Sequence, residues 1–202
     1  MLNNVTWVLL LLITFADADI VTLGKIKIDS EQKAVSFPIY ANLEQGIIEF
    51  SLVHKNGKIH ESLFYTEVTG SELNAALLLL GLKSEFGEQS ALPALEDLSQ
   101  RPALHLEILT PEHTYSMRDF IKYTLPEDLP DTLQWAYTGS FFTKGRYTAE
   151  TEGDLIAIYS TPYAIINLNH KSRQDDTVWL VEERNMLPNG TACELLITLG
   201  SK

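Results

Sequence analysis

Cysteine is nearly absent from this chain, and the single one, Cys193, excludes two classes at once: without a second thiol there is no intramolecular disulfide and no multi-thiolate zinc or iron–sulfur centre. Cys193 shares one face of an alternating segment with Leu195, Ile197 and Leu199, so it reads as a small buried hydrophobe. Basic residues are the second shortage. The 15 Lys and Arg stand against 27 Asp and Glu, for a net charge of −12, and form no cluster. A phosphate-binding surface needs the opposite balance, which removes nucleic acid as a partner. The five histidines, at 54, 60, 105, 113 and 170, show neither H-x-x-x-H nor H-x-H spacing, and His105-x-Glu107 is one pair on one strand face. No metal site and no cofactor is expected. The G-x-S-x-G elbow is missing. No internal repeat is legible either: Gly46-Ile47-Ile48-Glu49 and Gly153-Asp154-Leu155-Ile156 both open apolar strands, but four residues of loose likeness establish nothing.

Long apolar runs are missing apart from one, Val5 to Phe15, which is followed by the small-x-small triplet Ala16-Asp17-Ala18. That arrangement reads as a leader peptide, residues 1–18, with cleavage expected after Ala18. Asp17 and Asp19 interrupt the run well short of the roughly 20 residues a spanning helix needs, so an uncleaved anchor is the minority reading. The leader departs from pattern in having no Lys or Arg ahead of the apolar run. Cleavage removes 18 of 202 residues and one acid, leaving 184 residues with a net charge of −11. The expectation is an exported protein, periplasmic or extracellular, without a membrane span after cleavage.

Strand-like alternation covers residues 25–28, 34–40, 47–55, 59–68, 104–109, 155–159, 178–183 and 192–199. The clearest helix spans residues 72–80. Thr69 and Glu72 have capping-box spacing, Gly81 suits a left-handed stop, and leucines at 77 to 80 surround the axis, which predicts burial on most sides. The fold class is α+β: a mainly antiparallel sheet or partly closed barrel with one buried helix. Residues 83–101 form a polar insert with a short helix predicted at 94–98, and residues 124–132, with Pro126 and Pro130, read as an exposed connector. Residues 19–202 are read as one domain, because the strands on either side of the connector are too few to close separate cores.

Asn56-Gly57 between two apolar runs predicts a two-residue type I′ hairpin. Its register places Val53 opposite His60, Ser51 opposite Ser62 and Glu49 opposite Phe64. One face then gathers Glu49, Ser51, His60 and Ser62, while Glu61 falls among Leu52, Ile59 and Leu63 on the core side. A carboxylate there must find a cation, collect amides or keep its proton, which makes Glu61 the first candidate, with Lys58 beside it. His60 as base, Ser62 as nucleophile and Glu49 as orienter compose a hydrolase reading that flat-strand geometry disfavours. Further along, Lys144-Gly145 suggests a second hairpin and Asn189-Gly190 a tight turn into the last strand. Trp135, Tyr137, Phe141 and Tyr147 are candidates for lining a peptide or glycan groove, with core packing the ordinary alternative.

The segments Val35-Ser36-Phe37-Pro38, Gly57-Lys58-Ile59-His60-Glu61-Ser62-Leu63 and Ala75 to Gly81, with Trp135, Thr138-Gly139-Ser140, Glu152-Gly153 and Leu187-Pro188, resemble the YdjY-type domain of bacterial exported and envelope proteins. The resemblance runs over residues 25–199. It implies one integrated domain and carries no reaction, ligand or catalytic residue with it. Two functional readings stay open: a non-enzymatic envelope module binding a peptide, glycan or protein, and a secreted hydrolase or acid–base enzyme using Glu61 and His60.

Overall fold

The computed structural model describes residues 20–200 apart from Glu85, Glu96 and Asp128; the expected leader lies outside the described residues. Strands form where β-branched and aromatic residues alternate with polar ones. They are β1 (Ile20–Leu23), β2 (Ile26–Asp29), β3 (Ala34–Ala41), β4 (Phe50–His54) and β5 (Ser62–Thr66). After helix α1 (Gly70–Leu79) come β6 (Ala103–Leu109), β7 (Thr114–Ser116), β8 (Ile121–Tyr123) and β9 (Trp135–Tyr137). The chain continues through β10 (Phe142–Thr143), β11 (Arg146–Tyr147), α2 (Thr148–Glu152), β12 (Asp154–Ala157), β13 (Ile166–Leu168), β14 (Trp179–Val181) and β15 (Ala192–Leu199).

Eight of these strands close a ring in the order β3-β15-β6-β9-β13-β12-β4-β5, sealed by β5 pairing back onto β3 at Tyr40 and Ala41. The barrel is therefore closed rather than partly closed. It is also mixed: β4–β5 and β12–β13 are parallel, and the other joints are antiparallel. Strands from both sides of residues 124–132 enter the same ring. Val35, Phe37 and Ile39 of β3, Leu195 and Ile197 of β15, and Leu104, Leu106 and Ile108 of β6 fill the inside, with Trp135 and Tyr137. Pro38 survives in a barrel strand because β2 and β5 share that edge of β3 and leave a gap at residue 38, where the Pro38 carbonyl accepts the Thr66 hydroxyl at 2.7 Å.

The ring has an internal two-fold relation. Exchanging β3 with β9, β4 with β12, β5 with β13 and β6 with β15 reproduces every joint and its direction. Thus the chain contains two copies of one four-strand pattern, with β4 pairing β12 and β6 pairing β15 across the relation.

The Asn56-Gly57 hairpin is not formed. β4 and β5 run parallel, with Phe50 beside Ser62 and Leu52 beside Phe64, so residues 55–61 are a crossover that returns the chain to the start of β4. Gly57 is needed for close approach rather than for positive φ: a Cβ on it would lie 3.1 Å from the Gly153 carbonyl oxygen. The hairpin at Lys144-Gly145 does form, with φ of 51° and 71° and Phe142 opposite Tyr147, and Gly190 takes a positive φ before β15. Helix α1 has the expected capping box between Thr69 and Glu72, but it is half-covered rather than buried on most sides. Leu73, Ala76 and Leu77 face the core, while Leu78 and Leu79 are 42% and 65% exposed. Among the described residues of 94–98 no helix forms, and among the described residues as a whole no helix is long and apolar enough to cross a membrane.

Gly153 and Gly145 both have positive φ but differ in surroundings. A Cβ on Gly153 would stand 2.9 Å from Gly57 Cα, whereas one on Gly145 meets nothing within 4 Å. Gly145→Ala should cost about 1 kcal/mol, the backbone penalty alone, and Gly153→Ala about 3 kcal/mol, because the clash adds to it. Urea unfolding of both variants measures the gap; equal losses would refute the close packing of Gly153 against the crossover at Gly57.

Candidate functional site

The crossover 55–61 turns at once after β4: Gly57 N–H donates to the His54 carbonyl at 2.7 Å, and Lys58, with φ −81° and ψ 61°, sits at the centre of an inverse γ-turn closed by Ile59 N–H on the Gly57 carbonyl. A short 3₁₀ turn, Ile59–Glu61, then feeds β5. This path aims Lys58 back over β12. Its Nζ lies 2.7 Å from both carboxylate oxygens of Asp154 and 5.1 Å from the centroid of the Phe50 ring. Asp154 is fully buried; Lys58 keeps 35% of its side chain exposed. Burial raises the Asp154 carboxyl above its ordinary range and outweighs the pull of the Lys58 ammonium, with Glu152 and Glu61 adding to the rise. Glu49 is raised in the same sense, by burial first and then by Glu61 and Asp176.

Glu61 does not lie on the core side. It is the last residue of the 3₁₀ turn, with its side chain 23% exposed and its Oε2 3.7 Å from Nε2 of a His60 that is itself 76% exposed. Because the crossover replaces the hairpin, the polar face expected from Glu49, Ser51, His60 and Ser62 is not assembled. Ser62 is buried and its hydroxyl donates to the Phe64 carbonyl on its own strand; Ser51 is buried with an unpartnered hydroxyl. Glu49 meets the crossover through its backbone, its N–H donating to the Glu61 carbonyl at 2.9 Å. The structure thus brings Lys58, Glu61 and Glu49 around Asp154, and leaves His60 and Ser62 apart. Asp154 escaped the sequence reading, although an acid directly after Gly153 at the head of an apolar strand was a usable signal.

Trp135, Tyr137, Phe141 and Tyr147 are 1%, 1%, 3% and 8% exposed, so they do not line an open groove. Tyr137 donates to Asn74 Oδ1 on α1 and Tyr147 to the Gly139 carbonyl, both as core residues. Trp135, its side chain inside the barrel wall, lies behind a cleft of about 350 Å³ on the outside of the barrel. The cleft opens where β6 changes neighbours: β9 pairs with Ala103 and Leu104, β7 with Glu107 to Leu109, and the edge between them is free. His105 and Glu107 point outward from β6, flanked by Thr198 opposite His105 on β15 and Ser116 opposite Glu107 on β7. Asp131 and Thr132 form the far wall. The side chains of His105, Glu107, Asp131, Thr132 and Thr198 make no hydrogen bond or ion pair with any described residue. Sequence reasoning saw only the His105-x-Glu107 pair; Ser116, Asp131 and Thr198 carry no local pattern.

Two other clefts are less suited to a polar ligand. One of about 490 Å³ holds Cys193, whose thiol burial pushes up to about 11, and its Lys27 is 3.2 Å from Glu194. The other, about 420 Å³, is a shallow site of Glu44, Gln45, Glu183, Met186 and Pro188, where Glu44 already accepts the Asn189 N–H. Among the described residues no three His, Cys, Asp or Glu side chains are placed to hold a metal ion.

A family model described as the YdjY domain matches residues 26–198. No curated protein and no solved structure matches the chain.

Lys58→Met strands a buried carboxylate and should destabilise by about 2–3 kcal/mol, below the value for fully buried pairs because Lys58 reaches solvent. Adding Asp154→Asn should recover most of that loss, read by urea unfolding. Asp154 also has a defined pH dependence. Its folded pKa lies above the unfolded value of 3.8, so its favourable contribution is complete below that pH and is lost as pH rises through the folded value. The stability of the parent relative to Asp154→Asn should therefore improve as pH falls from 7 towards 4, and a pH-independent difference would contradict burial as the dominant influence.

Proposed function

Since the chain belongs to the YdjY domain family, with the match running from β2 into β15, we propose for the whole barrel a role as an exported, non-enzymatic binding module of the bacterial envelope, taking a peptide, glycan or protein partner. The observation that carries this reading is the cleft over His105 and Glu107, where the side chains of His105, Glu107, Asp131, Thr132 and Thr198 have no hydrogen-bond or ion-pair partner among the described residues. Polar groups spent on water in the free protein are available to a ligand. The residues that would serve a hydrolase support the same reading by their separation. His60 stands in solvent, Ser62 donates to its own strand, and Lys58 and Asp154 satisfy each other. A nucleophile needs its base within hydrogen-bond reach. The pair joins the first crossover to the head of β12 and so has a structural task.

Export and binding are tested separately. Expressed with its own leader, the protein should be recovered from the periplasm or medium with Asp19 as its first residue, by N-terminal sequencing. Residues 19–202 should turn over no fluorogenic ester, peptide or glycoside. Binding from mixed glycan and peptide libraries, followed by native mass spectrometry, should be lost in Glu107→Ala/Asp131→Ala and kept in His60→Ala. Turnover that disappears in Glu61→Gln would sink the binding reading in favour of the enzyme.

A further inference from the structure

We propose that the cleft over β6 is a subsite for a neutral, polyhydroxylated ligand, the end of a glycan chain. This rests on the binding reading above and narrows its ligand. The argument runs through the chemistry of the lining. No lysine or arginine borders the cleft, so a phosphate, sulfate or carboxylate group would meet Glu107 and Asp131 without a counter-charge. A metal ion is excluded by geometry rather than by charge. Its donors must converge to 2–2.6 Å, and among the described residues no three acidic or imidazole groups do so. The same dispersal weakens the case for a compact ammonium, which could engage the carboxylates but would leave the His105 ring and the hydroxyls of Thr132 and Thr198 unserved.

Dispersed groups suit a ligand whose own polar atoms are dispersed. Carboxylates only accept, hydroxyls donate and accept, and neutral imidazole does one of each, so this lining matches a ring bearing several hydroxyl groups that both donate and accept. Leu133 and Trp135, 4% and 1% exposed, close the cleft from beneath, so the ligand is held by polar contacts along the walls. A volume of about 350 Å³ is at the low end for ligand pockets, which fits one or two sugar rings and not an extended protein segment. The open rim on the β6 edge lets the rest of a longer chain leave the site.

The test uses residues 19–202 and isothermal titration with neutral di- and trisaccharides of glucose, N-acetylglucosamine, mannose and galactose, beside spermidine, trilysine and inorganic phosphate. Tryptophan fluorescence gives a second readout through Trp135, buried beneath the cleft. The expected result is saturable binding of at least one saccharide with a Kd between roughly 10 µM and 1 mM. Glu107→Gln and Asp131→Asn should each weaken it at least tenfold, and Glu61→Gln should leave it unchanged. Both cleft substitutions lie on exposed or half-exposed positions and keep side-chain shape, and an unchanged thermal midpoint separates lost binding from lost folding. Saccharide binding indifferent to both substitutions overturns the site. Spermidine or trilysine binding that is sensitive to both, without saccharide binding, overturns the ligand class and leaves the binding module standing. If no probe titrates, both readings fall.

Discussion

Two parallel joints in a closed barrel, each made by a crossover too short to hold a helix, are the constraint on which this molecule depends. Parallel neighbours ordinarily need a dozen or more connecting residues. Here residues 55–61 and 158–165 suffice, because the strands they serve are only five and four residues long, and a five-residue strand is about 16 Å to retrace. The chain must run almost straight back, and its backbone groups must find partners on the way. In the first crossover Asn42 Nδ2 donates to the carbonyls of Ile59 and Ser62; in the second the Thr138 hydroxyl meets the carbonyls of Ala164 and Ile165, and Asn167 ties Thr138 to the Thr161 N–H. Asn42 follows β3 and Thr138 follows β9, the strands exchanged by the internal two-fold relation. One solution has been used twice.

The Lys58–Asp154 pair gains its meaning from that arrangement. It joins the first crossover to the head of β12, next to the contact of Gly57 with Gly153, and so fastens one half of the pattern to the other. A half-exposed lysine over a buried carboxylate is a modest contributor to net stability, since desolvation of Asp154 takes back much of the Coulomb attraction. Removing only one partner is costly, which is how a residue of small net worth becomes difficult to replace. The carboxyls of Glu49 and Asp154 are both raised, first of all by burial at this seam.

Local chemistry in the sequence predicted local structure well and long-range pairing badly. The capping box of α1, the Lys144-Gly145 hairpin and the alternation of β3, β6 and β15 all depend on neighbours within a few residues, and all form. Asn56-Gly57 carried the stronger hairpin signal and failed, because the partner of β4 along its other edge is β12, a hundred residues away, and Gly57 is recruited to let the chains touch. Once that register was lost, Glu61 moved from core to rim and the Glu49, Ser51, His60 and Ser62 face dissolved. The leucines of α1 misled in a different way. Four consecutive leucines cannot all face one core, and without the outline of the barrel the sequence offers no means to choose which stay outside. The two-fold relation was equally hidden, since it lives in strand order and direction and leaves only Gly46 and Gly153 as a trace.

The cleft follows from the same shortness of strands that demands the crossovers. A long barrel strand keeps one neighbour along each edge; β6 has β9 for two residues, then β7 for three, and at the change the backbone edge is open and the flanking segments diverge. The matching event on β3, where β5 gives way to β2, falls at Pro38, and that position lies in the other large cleft on the barrel wall. Proline and paired charges occupy the second opening, while the first is lined by the hydroxyls of Thr132 and Thr198, two carboxylates and an imidazole that have no partner among the described residues. The fold therefore creates openings as a by-product of closing a barrel from short strands, and side-chain chemistry decides which of them can hold a ligand.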